Sequence, residues 1–395
     1  MRILIVCPYT WNRPGGVRTH IIDTAQALIN LEHSVVVLTP SDGDPELPEG
    51  WSMYVEETSQ PGNVALKSIH AGRTLEFGGT QVDITWLNDH TSAQIVNLIK
   101  VFNPDVIHFH TPWTPFLSVQ VLKFAAQLRS DRVINSRFIA TFHDTPSESG
   151  LGIILGKYLM PLVARYFMRA FDNVIAVSEP QSRYISRFSD QQIHVIPNGI
   201  SWSKQHHESS VSLKSASATP FLLFLGRLEH RKGLFDALEA YRMIRPQYSG
   251  LKLIIAGDGP LRNQGEAFVL QHSLEQVEFL GRVSESDKWE LMRKASIYLA
   301  PALYGESFGI VLLEAMSVGT PVVGYSNSGY KSLVSGYFDD QFAQPGDVNQ
   351  LARIVGDLLS DTPRMTELSK KGIEFSATYR WDRIISKIVQ LYEVQ

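Results

Sequence analysis

The sequence predicts an α/β protein built from two Rossmann-like, doubly wound parallel-sheet domains that face each other across a cleft. Three observations predict it. The chain, at 395 residues, is long for a single hydrophobic core. Continuous apolar runs ended by turn residues alternate with segments of helical period, the pattern of parallel strands and their crossover helices. The alternation occurs twice, on either side of the Ser-rich stretch SWSKQHHESSVSLKSASAT from Ser201 to Thr219. The predicted bounds are therefore a first domain over 1–200, a linker over 201–219 and a second domain over 220–379.

Composition narrows the function classes. Hydrophobic residues at 44% and charged ones at 19% describe a globular rather than a disordered chain. A net charge of −4 argues against nucleic acid as the main partner, because phosphate backbones attract basic surfaces. The single cysteine, Cys7, excludes an intrachain disulfide and a cysteine-rich zinc site, and its apolar strand suits a small core residue. The N-terminus offers Arg2 and a short apolar run before Pro8, which is no signal peptide, and no charge-free run is long enough to span a bilayer. A cytoplasmic protein is expected, with contact at the inner face of the plasma membrane left open.

Taken in order, RILIVCPY reads as a buried parallel strand that opens the first sheet. NRPGGVRTH follows and leads into a helix through IIDTAQALINLE. Gly15 and Gly16 at that helix start would allow positive φ and close approach of a phosphate to backbone N–H groups; a tight turn explains them equally well. HSVVVLTP is the next strand, and Ser41 to Gly79 shows no sustained period. SAQIVNLIKVF is helical, and DVIHFHTP is a strand with His108 and His110 on one face. A metal pair there lacks a third ligand nearby in sequence, so polar strand-end residues are the preferred reading. After the helix PFLSVQVLKFAAQL, the strand RFIATFHD delivers His143 and Asp144 at its carboxyl end, where ligands bind in open α/β sheets. The apolar helical segment from Gly150 has Lys157, Arg165 and Arg169 as its only charges and a kink at Pro161. A helix packed within the protein is preferred to a membrane-surface helix. NVIAVSE, a short helix and IHVIPNGI complete the first sheet.

In the second half, FLLFLGRL, LKLIIAGDGP, VEFLGRV, SIYLAPAL and TPVVGYS are strands. GRLEHRKG carries Arg227 and Lys232 on a strand-to-helix loop, cations suited to a diphosphate, with Arg231 a surface residue. GDGP, from Gly257 to Pro260, lies at another strand end and fits a turn or a nucleotide contact. The stretch YGESFGIVLLEAMSVG holds two carboxylates in apolar surroundings. Ser307 predicts an N-cap, Phe308 to Val318 a helix, and Gly319-Thr320-Pro321 its stop. Glu306 and Glu314, eight positions apart, would then lie roughly 12 Å apart along the axis. That exceeds the about 5–9.5 Å of a glycosidase carboxyl pair. An extended ligand such as a nucleotide diphosphate sugar spans it better, with its phosphates at the positive helix end. Helices at DVNQLARIVGDLL, from Met365, and after Tyr379-Arg380-Trp381 end the chain.

Glu306 and Glu314 match the paired-Glu motif of the family 4 glycosyltransferases, and CPYTWNRPGGVRTH, ATFHD, IPNG and GRLEHRKG extend the resemblance over nearly the whole chain. Within that family the sequence is most similar to bacterial phosphatidylinositol mannosyltransferases, through CPY…PGGV…H, GESFGIVLLEAM and YRW…LYE. The resemblance implies the GT-B fold, with the last helix, 380–395, returning to the first domain. It implies a retaining hexosyltransferase with a sugar-nucleotide donor, GDP-mannose first, and no obligatory metal or cofactor. The implied catalytic residues are Glu306, His143, Arg227 and Lys232. Gly15, Gly16, Ser307, Phe308, Gly309, Ile310 and Glu314 join Arg227, Lys232 and Glu306 around the donor, and Tyr9 and Asp144 lie on the acceptor side. A UDP-sugar transferase and a non-catalytic sugar-nucleotide binder are the alternatives.

The acceptor is where the sequence departs from the mannosyltransferases, which carry a basic cluster on a first-domain helix and a lysine shortly after the histidine. Here HTSAQIVNLIKVF has Lys100 as its only cation, and DTPSESG after His143 has acidic Glu148 and none. An inositol phosphate needs cationic partners, so a neutral lipid-linked or glycan acceptor is expected, with phosphatidylinositol as the alternative.

Overall fold

In a computed structural model the protein is described over residues 1–13, 15–55, 63–70, 72–77, 80–85, 87–112, 117–143, 165, 167–201 and 220–393. It falls into two compact units, Met1–Gly199 with Trp381–Gln395, and Ile200–Arg380.

The first unit is organised by its parallel sheet. Its strands are β1 (Arg2–Val6), β2 (Ser34–Ser41), β3 (Ser52–Met53), β4 (Val64–His70), β7 (Val106–His110), β8 (Arg137–Phe142), β9 (Asn173–Ala176) and β10 (Ile193–Val195), with β5 (Arg73–Phe77) and β6 (Thr80–Ile84) forming a separate antiparallel hairpin. In the order β10-β9-β8-β7-β1-β2-β4-β3 the chain crosses from one side of β1 to the other at β7, and β3 lies outside β4 at the edge. Because side chains alternate along a strand, β1 feeds two cores. Leu4 and Val6 pack with Ile95, Leu98 and Phe102 of α2 (Asp89–Phe102) and Val121 of α3 (Leu117–Ser130). Ile3 and Ile5 pack with Ile21 and Leu28 of α1 (Gly16–Ile29) and with Trp381, Ile384 and Ile388 of the last helix, Trp381–Glu393. Burial on both faces is why β1 reads as a continuous apolar run. A short helix, α4 (Glu179–Ile185), lies between β9 and β10.

The last helix is bound closely to this unit. The Trp381 ring so fills the space at Gly199 that a Cβ there would sit 2.5 Å from Trp381 Cδ2, and Asn173 Nδ2 donates to the Leu391 carbonyl at 3.2 Å. One expectation fails here. The stretch from Ser41 to Gly79 is not irregular throughout, since β4 pairs with β2 from Val35↔Val64 to Ser41↔His70. Lys67 and Ser68 are half-buried and interrupt the apolar pattern, which hides the strand.

The second unit has strands β11 (Phe221–Leu225), β12 (Lys252–Ala256), β13 (Val277–Gly281), β14 (Ile297–Ala300), β15 (Val322–Tyr325) and β16 (Phe342–Ala343), all parallel, in the order β13-β12-β11-β14-β15-β16. Its helices are α5 (Leu234–Ile244), α6 (Arg262–Gln271), α7 (Glu285–Lys294), α8 (Ile310–Ser317), α9 (Ser328–Val334), α10 (Val348–Ser360) and α11 (Thr362–Ala377), and the last helix of the chain is α12. The order reverses between β11 and β14, the switch point at which open α/β sheets bind ligands. The helix expected from Met365 also shifts, because Asp361 caps α11 through Arg364 N–H and starts it before Met365.

Most of the expected linker, with His206 and His207, lies outside the described residues, as do Asp144, Glu148, Lys157 and Pro161. Of the cations in the apolar segment, Arg165 pairs with Asp190 at 2.9 Å and Arg169 is exposed. Among the described residues no helix is long and apolar enough to cross a membrane.

Candidate active site

The loops that leave β11 and β14 at the switch point of the second sheet carry a cluster of charges. Lys232 Nζ donates to Glu306 Oε1 at 2.6 Å, and Arg231 Nη1 donates to the same oxygen at 3.2 Å. Glu229 holds both arginines, accepting from Arg227 Nη2 at 2.8 Å and from Arg231 Nε at 2.9 Å. Three cations against two carboxylates leave the cluster net positive. The carboxylates are the buried members, with side-chain exposures of 9% and 10%, while Arg227 reaches solvent at 46%. Arg231 is therefore part of this network and not the surface residue its sequence context suggests.

Backbone contact between the two loops explains their precision. Gly233 has φ +73, and a Cβ there would meet the Pro301 carbonyl oxygen at 1.9 Å. Only glycine lets the β11 loop, and Lys232 with it, lie directly on the β14 loop. The GDGP turn after β12 packs on the β11 loop in the same way, with Gly257 against the Gly226 carbonyl.

The helix carrying the second glutamate starts later than expected. It begins at Ile310, with Gly309 at φ +102 as its N-cap residue, so Ser307 is not the cap and Phe308 is not helical. Tyr330 sits where a Gly309 side chain would be, at 2.7 Å. Ser307 is half-buried, and Phe308 is buried with its ring centroid 5.9 Å from that of Tyr379. The axial separation reckoned for Glu306 and Glu314 on one helix does not apply, because four residues of non-helical chain precede Ile310. Glu314 has its own partner, accepting from Lys288 Nζ at 3.0 Å. Burial lowers the pKa of the Lys288 ammonium, but Glu314 and Glu285 more than offset this and hold it above the usual lysine range. The two glutamates share one neighbour: Tyr298, whose phenol is pushed far up by burial and by the charges of Glu314 and Glu306.

In the first unit the glycine pair behaves differently from the expectation. Gly15 is extended, at φ −179, neither glycine has positive φ, and a Cβ at either would meet nothing within 4 Å. Both are exposed at the start of α1. What remains of the argument is open access to backbone N–H groups. Tyr9 is half-buried, and its carbonyl accepts from Thr39 Oγ1 at 2.9 Å. His143 is buried at the end of β8, where its Nε2 lies 2.8 Å from His110 Nδ1.

His143 belongs to a cluster of four buried imidazoles. His20 comes from α1, and His108 and His110 from β7. His108 bonds Tyr392 Oη and Thr141 Oγ1, each at 2.7 Å, and its ring centroid is 4.4 Å from that of His110. The His20 ring meets His143 edge-on at 4.5 Å and Trp381 at 5.1 Å. Burial lowers every one of these pKa values, to about 3 for His20 and His108 and well below 6.5 for His110 and His143, the neighbouring rings adding to the effect at the last three. All four are neutral near pH 7. Nitrogens of His20, His110 and His143 lie within 4.8 Å of one another, which supplies the third ligand that the sequence lacked for a metal site. Among the described residues no carboxylate acts on these rings, and a dication in such a buried place would go uncompensated. The His110–His143 hydrogen bond also engages two of the ring nitrogens. The arrangement is that of a neutral, hydrogen-bonded cluster.

Sequence reasoning missed Glu229, Lys288 and the joint placement of His20, His110 and His143. Only Glu229 left a signal, two positions from each arginine in RLEHR.

Comparison with known proteins bears on the family and the fold. Residues 14–203 match the family described as Glycosyltransferase Family 4, and residues 206–375 match Glycosyl transferases group 1. The chain is 30% identical over 403 residues to the phosphatidyl-myo-inositol mannosyltransferase of Mycobacterium leprae, covering 100% of this chain and 96% of that protein. Among solved structures, sucrose-phosphate synthase from Thermosynechococcus elongatus superimposes with a TM-score of 0.70 at 21% identity, covering 99% of this chain and 98% of that one. The Anabaena protein HepE, in complex with UDP and glucose, gives 0.69 at 19% identity, covering 99% and 98%. These two likenesses bear on the fold, the GT-B arrangement of two parallel-sheet units.

Proposed function

Because the chain belongs to the family 4 glycosyltransferases, we propose that it moves a hexose, mannose first, from a sugar nucleotide, GDP-mannose first, to a hydroxyl of a neutral lipid-linked or glycan acceptor, with retention at the sugar. The observation that carries this reading is the Glu306 carboxylate held by Lys232 at 2.6 Å and Arg231 at 3.2 Å at the switch point of the second sheet. Transfer breaks the bond between the anomeric carbon and a β-phosphate oxygen and leaves negative charge on that phosphate. Lys232, Arg231 and Arg227 form a net positive, partly water-shielded group that stabilises such charge. Backbone N–H groups at the start of α8 favour the same anion, and a donor contact is also assigned to the exposed Gly15 and Gly16. Glu306 binds sugar hydroxyls, Glu314 those of the ribose, and His143 orients the sugar. Tyr9 and Asp144 serve the acceptor, whose proton passes to a donor phosphate oxygen. No metal is assigned a step.

The acceptor choice rests on scarce cations. Lys100 is alone on α2, and Arg165 is already paired with Asp190. An anionic bilayer contributes about 1 kcal/mol per nearby Lys or Arg, and α2 offers only Lys100 for it. A panel of GDP-mannose, GDP-glucose, UDP-glucose and UDP-N-acetylglucosamine, scored by nucleoside diphosphate released with neutral glycolipid or glycan acceptors, tests the reading. GDP-mannose is expected to give the fastest release. Efficient mannosylation of phosphatidylinositol in anionic vesicles would overturn the acceptor assignment, and preference for a UDP-sugar would overturn the donor.

A further inference from the structure

The imidazole that the mechanism uses is not free to choose its tautomer. His110 Nδ1 and His143 Nε2 lie 2.8 Å apart with their ring planes nearly parallel, at 14°, so one nitrogen donates and the other accepts. The other nitrogen of His110, Nε2, is buried and has no hydrogen-bond partner. If His143 were the donor, His110 would have to carry its own proton on Nε2, as a buried N–H with no acceptor. Orphaned buried N–H groups are the rarer and costlier kind. If His110 donates, its Nε2 keeps only a bare lone pair.

On this geometry we infer that His110 is a positioning residue, which donates from Nδ1–H to His143 Nε2 and leaves His143 with its proton on Nδ1. The inference rests on the proposed role of His143 at the sugar, and it sharpens that role. With Nε2 engaged and Nδ1 protonated, His143 meets the substrate as a hydrogen-bond donor to a hydroxyl oxygen. It does not act as the base that takes the acceptor's proton.

The ring of His110 is itself fixed. His108 packs against it with ring centroids 4.4 Å apart and planes tilted by 30°, and is held at both nitrogens by Tyr392 and Thr141. His20 meets His110 and His143 edge-on at 5.4 Å and 4.5 Å. The Asn198 side chain acts on the His20 ring and raises its pKa slightly against burial, although neither His20 nitrogen nor Asn198 Oδ1 makes a hydrogen bond among the described residues. Orientation therefore passes from α12 through β7 to the end of β8. The second histidine of HFH at the end of β7 thus sets the tautomer of a residue 33 positions away.

The tautomer can be read without substrate. Full-length protein labelled with 15N-histidine gives long-range proton–nitrogen correlations for each ring, and the His143 signals are those lost in His143→Gln. The expected wild-type pattern is a protonated Nδ1 and a bare Nε2 for His143; a protonated Nε2 would overturn the inference. Two variants test the consequence for transfer. His110→Asn keeps an N–H donor near the Nδ1 position, whereas His110→Phe keeps the ring and removes the donor. Asn is expected to retain kcat within about threefold, and Phe to lower it about tenfold, the rate equivalent of one hydrogen bond, with KM little changed. Phe matching wild type while Asn fails would mean that His110 only fills space, and would also overturn the inference. Normal transfer by His143→Gln would instead overturn the role given to His143, a result separable from the tautomer itself.

Discussion

Glu306→Ala and Lys232→Ala are each expected to lower transfer by roughly 10²–10³-fold while leaving the fold intact. A charge-assisted contact that strengthens in the transition state contributes about 3–4 kcal/mol, which is that factor in rate. The fold should survive because the groups left behind reach solvent: the side chains of Arg231 and Lys232 are 26% and 20% exposed. After Lys232→Ala, Glu306 still has Arg231. Steady-state kinetics with circular dichroism checks both parts. Glu314 is expected to differ in kind. Its partner Lys288 lies on α7, away from the Glu229–Glu306 network, and a ribose contact acts on binding. Glu314→Gln should therefore raise the donor KM more than it lowers kcat. Opposite signatures at the two glutamates would reverse the assignment of the donor's ends.

Acid is expected to destabilise the first unit steeply between about pH 6.5 and pH 3. In the unfolded chain the four cluster histidines take up protons below about pH 6.5. In the folded unit His20 and His108 do so only near pH 3, and His110 and His143 also well below the usual value. The unfolded state then binds more protons, so stability falls as pH falls and is fully present above the unfolded pKa. From about pH 7.5 to about pH 5.5 each such histidine costs on the order of 1 kcal/mol, so the cluster as a whole costs a large share of a typical stability of about 5–15 kcal/mol. Urea unfolding at the two pH values measures it. A midpoint unchanged between them would contradict the buried neutral cluster.

How much of this was legible in the sequence depends on whether the cause was local. β1 and β11 could be read directly, since strands covered on both faces are continuous apolar runs. β4 could not, because Lys67 and Ser68 break its pattern on a half-covered strand. Lys232 and Glu306 were found because motif and loop position agreed, and their ion pair follows from the switch point between β11 and β14. The start of α8 was misplaced because Ser307 is a good cap by type, whereas the deciding contact is Tyr330 against Gly309. Glu229 and Lys288 owe their meaning to partners that a linear reading does not rank. His20 lies on the helix that follows β1, His110 at the end of β7 and His143 after β8, and they meet because β1, β7 and β8 are neighbours in the sheet. That adjacency also turns a histidine pair without a third ligand into a four-ring cluster.

The central claim is that the loops at the switch point of the second sheet hold the diphosphate of a sugar nucleotide, and calorimetric titration of GDP-mannose into the full-length protein tests it most directly. The account predicts one site per chain in the wild type. It also predicts affinity at least tenfold weaker in Lys232→Ala, about 1.4 kcal/mol for one charge-assisted contact to phosphate. Equal affinity in wild type and Lys232→Ala, with both folded, would contradict it.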